Sequence, residues 1–181
     1  SIFITDIIDF DDQAFHIPLN IERKIAHMLG ENHFQPYLQA LWDWRKMEAS
    51  GLSTQRLATE RAKISEIFTQ CFNMFSSRKR VVLLFDTTDA IQQTEIWNYL
   101  KELIHLLNNT VLVLAGRNAA KLSEILVEEL REVQLIPLAP LEDQYAESYL
   151  KNKQDLLHIH EIPVDLVKKI TFLAQGKPIL M

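Results

Sequence analysis

Val81-Val82-Leu83-Leu84-Phe85-Asp86-Thr87-Thr88-Asp89 is the stretch from which the fold is read. Five apolar residues in a row follow the basic run Arg78-Lys79-Arg80 and stop at an acid. That pattern describes a strand of a parallel sheet, expected to be buried on both faces. An unpaired charge inside the apolar run would cost several kcal/mol, so Asp86 belongs at the carboxyl end of the strand. Ligands of open α/β sheets bind at that rim. A second strand, Thr110-Val111-Leu112-Val113-Leu114, ends in Ala115-Gly116-Arg117-Asn118. The helical stretch between the two strands implies a parallel crossover, which brings Asp86 and Arg117 to one edge. An acid and a guanidinium at one rim suit a metal-bound phosphate.

Outward from this pair, Ile2 to Phe10 reads as an earlier strand interrupted by Asp6 and Asp9. Pro18 opens a helix whose stripe is Ile21, Ile25, Met28 and Leu29, with Gly30 as its stop. A second helix starts near Pro36 and ends at Gly51. A third, from about Ser53 to Phe75, carries the seam Leu57, Ile64, Phe68, Cys71 and Phe75. Ile96, Leu100, Leu103, Ile104 and Leu107 form the face of the helix between the two rim strands. Beyond them the pattern predicts a helix over Ala120 to Leu130 and a short strand over Val133 to Leu138, with Pro137 at the sheet margin. Helices from Leu141 to about Lys151 and from Pro163 to Gly176 complete the chain. Alternation of strands and helices gives way to helices alone near Leu138 to Leu141, so the domains expected are 1–139 and 140–181.

Composition narrows the function classes. The chain has 181 residues, 48% hydrophobic and 24% charged, enough for one core and the start of a second. A net charge of -5 does not indicate nucleic-acid binding. No apolar run approaches the roughly 18 residues of a membrane span. Cys71 is the one cysteine, which excludes an internal disulfide framework and suits a reducing, cytoplasmic setting. On the helix seam it reads as a packed thiol. His158 and His160 flank Ile159 without a third ligand cluster, so a solvated loop outweighs a metal site. Trp42 and Trp44 cannot both face inward on one helix, which leaves room for a contact surface. The chain opens directly on Ser1-Ile2-Phe3 and closes on Pro178-Ile179-Leu180-Met181, and it is expected to be a segment of a longer polypeptide.

The motifs in this order resemble those of a P-loop ATPase, in particular the STAND class of signalling ATPases related to the AAA+ and NACHT families. Val81 to Asp86 resembles a Walker B strand, and Thr87-Thr88-Asp89 the acid-containing turn after it. Leu114-Ala115-Gly116-Arg117 is similar to a sensor 1 strand end. Leu135 to Asp143 is similar to the segment entering a helical lid, and Gly176-Lys177-Pro178 to the lid's Gly-x-Pro motif. No G-x-x-x-x-G-K-[ST] is present among the four glycines Gly30, Gly51, Gly116 and Gly176.

The resemblance implies an α/β fold: a three-layer, parallel-sheet P-loop NTPase-type domain, incomplete because its first strand is missing, followed by the start of a lid. It implies ATP and Mg²⁺ as cofactors, both requiring an upstream P-loop. Asp86 would hold the metal and its water shell, Thr87 or Asp89 would orient the attacking water, and Arg117 would contact the γ-phosphate. Pro178 would help place the adenine. The expected partners are nucleotide, other domains of the same chain and further copies in self-association, with no membrane. The implied function is a nucleotide-dependent conformational switch with slow hydrolysis. The alternative is a non-catalytic interaction scaffold of the same architecture. A Rossmann-type oxidoreductase fits the alternation but lacks G-x-G-x-x-G.

Overall fold

The computed structural model describes residues 1–51, 53–117, 133–139, 142–157 and 163–174. The expected helix over 120–130, His158, His160 and Pro178 lie outside them. The chain divides into two compact units, Ser1–Leu135 and Ile136–Met181.

The first unit holds a parallel sheet of β1 (Ile2–Asp9), β2 (Arg80–Asp86) and β3 (Thr110–Leu114), in the spatial order β1-β2-β3. Three helices separate β1 from β2: α1 (Pro18–Leu29), α2 (Gln35–Ala49) and α3 (Thr54–Ser76). One helix, α4 (Thr94–Leu106), separates β2 from β3. An irregularity between Ile4 and Ile7 puts one extra residue into β1, and Leu84 donates its amide to the Thr5 hydroxyl there at 3.3 Å. A bulge of this kind re-aims the side chains beyond it. Here it turns Ile8 into the core and sets Asp9 opposite Asp86 at the end of the ladder.

One face of the sheet is dry. Ile8, Val81, Leu83 and Phe85 are buried, and Leu112 and Leu114 pack beside them. Against this face α1 presents Ile21, Ile25 and Leu29, α3 presents Ile64, Phe68 and Phe72, and α4 presents Ile96, Leu100 and Leu103. Phe68 sits at the centre of an aromatic group, 5.8 Å from Phe34, 5.3 Å from Tyr37 and 6.1 Å from Phe72, centroid to centroid. Burying each of these rings contributes on the order of 2–3 kcal/mol. Cys71 is buried and free, and Trp44 packs on the core while Trp42 stays exposed.

The other face corrects the sequence reading. Ile4, Ile7, Val111 and Val113 are exposed, and Val82 and Leu84 between them are only half-buried. Among the described residues helices cover β2 on one face and not on the other, so the second helical layer of a three-layer sandwich is not among them. Val133 to Leu138 corrects it again. These residues form no strand, and Ile136 and Leu138 are exposed. Pro137 has no amide to give a ladder, and apolar alternation without a partner edge does not make a strand.

In the second unit α5 (Asp143–Leu157) and α6 (Val164–Ala174) pack on one another, with Ala146 and Leu150 buried. Among the described residues, no helix is long and apolar enough to cross a membrane.

Candidate functional site

The carboxyl ends of β1, β2 and β3 bring together Asp9, Asp86, Thr87, Thr88, Asp89 and Arg117. Asp9 and Asp86 are register partners on neighbouring strands. The Phe10 amide donates to the Asp86 carbonyl at 3.1 Å, and the Phe10 ring stacks on Phe85 at 5.9 Å, which fixes the spacing of the two acids. Asp86 Oδ1 accepts the amide of Thr87 at 2.7 Å.

Thr87 adopts φ 53° and ψ 39°. A β-branched residue in the left-handed region is strained by about 1–3 kcal/mol, and such strain concentrates at functional sites. The turn sets the Thr87 side chain close enough to Asp9 to favour its ionised form. Asp9 lies below the ordinary carboxylate range, held there first by the Asp11 amide and then by Thr87.

A short 3₁₀ turn, Thr88–Ala90, is fastened to the end of β3. Thr88 is buried, and both its amide and its hydroxyl donate to the Ala115 carbonyl, at 3.0 Å and 2.9 Å. Asp89 is committed to Arg117: Oδ1 accepts the Arg117 amide at 3.0 Å, and Oδ2 accepts Nε at 2.7 Å and Nη2 at 2.6 Å. The Arg117 amide, followed by its side chain, holds the Asp89 carboxyl below its usual range. The Asp89 side chain is 9% exposed and that of Arg117 is 90% exposed. The guanidinium donors not spent on Asp89 therefore face solvent.

Gly116 makes this docking possible. A Cβ there would collide with the Thr88 hydroxyl oxygen and stand 3.1 Å from both the Thr88 amide and an Asp89 carboxylate oxygen. Gly116→Ala is expected to push the turn off β3 and destabilise the first unit by about 1–3 kcal/mol. Urea unfolding followed by circular dichroism measures this; an unchanged midpoint would show that the turn can yield.

The structure thus brings Asp86, Thr87, Asp89 and Arg117 to one rim, and adds Asp9, which the sequence shows only as an interruption of the first strand. What it supplies chemically is a cluster of carboxylates beside an exposed guanidinium. Two adjacent carboxylates suit a hydrated Mg²⁺, which keeps most of its waters. Among the described residues no group of three or more His, Cys, Asp and Glu could enclose a metal ion. The rim amides of Thr87, Thr88 and Arg117 are all engaged, so they offer no cradle to phosphate. The residues present fit the cation side of a Mg–nucleotide and not its phosphate side.

Away from the rim lies a second unusual group. Glu22 of α1 is 1% exposed, and neither of its oxygens has a hydrogen-bond partner. The Ser65, Tyr37 and Tyr99 hydroxyls surround it; Tyr37 donates instead to the Leu19 carbonyl at 3.4 Å, and the Tyr99 hydroxyl is unpartnered. Burial pushes the Glu22 carboxyl up to about 7, and burial beside Glu22 pushes both tyrosines up.

Comparison with known proteins finds no matching family model, no matching curated protein and no matching solved structure.

Proposed function

We propose that residues 1–181 are the acid-tipped part of an ATP-driven conformational switch of the STAND class. The observation that carries this reading is the single rim: adjacent parallel strands present Asp86 and Arg117 on the same edge, with strained Thr87 between them. Asp86, with Asp9 beside it, would hold the water shell of Mg²⁺. The metal would supply neutralisation of the phosphate charge. Asp89 aims and steadies Arg117, so the guanidinium is the group turned toward an anion. Pro178 and the lid enter only through the resemblance.

One observation favours the second reading, a non-catalytic scaffold. Both Asp89 oxygens are occupied by Arg117, the geometry of a structural ion pair, and this takes Asp89 away from orienting water.

Calorimetric titration of ATP into the full-length protein separates the two. A switch binds ATP in a Mg²⁺-dependent way, and residues 1–181 alone bind at least about a hundredfold more weakly because the phosphate grip is elsewhere. Absence of ATP binding by the full-length protein leaves the scaffold. Nanomolar binding by residues 1–181 would overturn this placement of the phosphate site.

A further inference from the structure

A groove of about 1080 Å³ runs between α3 and α4, with the start of α1 and the end of α2 along its sides, and it includes no rim residue. Its lining combines two kinds of surface. Ile17, Leu57 and Leu106 give it an apolar bed, and the half-buried rings of Trp44 and Tyr99, which pack on the core behind it, form part of its floor, aromatic surface of the kind enriched where binding energy concentrates. Ile17 is 51% and Leu106 49% exposed, which places apolar surface in water.

The charges are one-sided. Glu48, Glu66, Glu95 and Glu102 line the groove, and Arg61 is the one cation among its described lining residues. Arg61 is paired with Glu95 at 3.4 Å, so three carboxylates remain in excess. Beneath the lining residues Ser65 and Tyr99 lies Glu22, whose unpartnered carboxylate would add to the negative field whenever it is ionised. Apolar bed and acidic walls complement an amphipathic helix carrying lysine or arginine beside its hydrophobic stripe. A helix is about 10–12 Å wide and rises about 5.4 Å per turn, so the volume receives about two turns.

We propose that the groove between α3 and α4 is a docking site for a basic amphipathic helix of a partner protein, seated on Trp44 and Tyr99 and held by the glutamates of its walls. This surface is independent of the rim and of nucleotide.

The test uses the full-length protein and a fluorescein-labelled amidated peptide of leucine and lysine at helical spacing. Its control is the same peptide with every lysine replaced by glutamate. The basic peptide is expected to bind with micromolar affinity that weakens as salt rises, and the acidic peptide not to bind. The double variant Glu48→Lys/Glu102→Lys is expected to weaken binding at least about tenfold. Both positions are exposed, so its circular dichroism and melting should match the parent. A peptide affinity unchanged by the double variant would overturn the proposal, because binding would then be elsewhere, for instance on the exposed sheet face. No binding up to millimolar peptide, or equal binding of the acidic peptide, would overturn it as well.

Discussion

On the proposed switch, Asp86→Asn in the full-length protein is expected to lower Mg²⁺-dependent ATP turnover by roughly a hundredfold or more and to leave the fold intact. The separation of these effects follows from the geometry. Asp86 uses Oδ1 to accept the Thr87 amide, and an asparagine oxygen can accept the same donor. The strand, the left-handed turn and the register with Asp9 therefore survive, and the change in stability should stay within about 0.5 kcal/mol. What disappears is the negative charge, the property through which a carboxylate orders water around a divalent cation. Steady-state hydrolysis with a parallel urea melt reads both quantities. Unchanged turnover would remove Asp86 from the chemistry. A collapse of stability together with activity would assign it to the turn alone.

The second large effect lies in the core. Glu22→Gln is expected to stabilise the chain at pH 8 by about 1–3 kcal/mol and to leave it nearly unchanged at pH 4. The Glu22 carboxyl titrates near 7 when folded, against an ordinary value of 4.5. Below 4.5 both folded and unfolded chains carry the proton, and burial costs nothing extra. Between 4.5 and 7 the folded chain holds more protons than the unfolded one, so stability falls as pH rises. Above 7 both forms are ionised and the loss levels off. Glutamine removes this slope because it has no charge to desolvate, and its amide can reach the surrounding hydroxyls. Urea midpoints at pH 4, 6 and 8 test it: a parent curve already flat across that range would contradict the buried, raised carboxyl.

Much of the architecture was legible in the residues. β2 and β3 announce themselves as apolar runs ended by polar tips, and the α1 stripe of Ile21, Ile25 and Leu29 is the face found in the core. The parallel order followed from the helical stretch between the rim strands. Burial was harder to read. An unbroken run such as Val81 to Phe85 looks the same whether one face is covered or two, so the exposure of Val111 and Val113 in the neighbouring strand has no signature. Val133 to Leu138 misled because its residues favour a strand while nothing pairs with them.

Within the site, Asp86, Thr87, Asp89 and Arg117 stand out as polar residues following hydrophobic strands. Asp9 does not, because the bulge that turns it to the rim depends on Thr5 filling a place in the ladder. The need for glycine at Gly116 arises from Thr88, a contact across two strands that no local pattern encodes. Glu22 was hidden for a similar reason. Its neighbours Leu19, Ile21 and Ile25 mark the inward side of α1, but a charged residue beside that stripe reads as boundary until Tyr37 and Tyr99 close over it.

The fastening of Thr88 and Asp89 to Ala115 and Arg117 makes the tips of two separate strands into one mechanical part. The links between them are short, buried at Thr88 and charged at Asp89, so displacing Asp89 would displace Arg117 with it. Such a jaw travels as a unit. The tips of β2 and β3 are thus held together by the Thr88 and Asp89 links rather than by the sheet ladder alone.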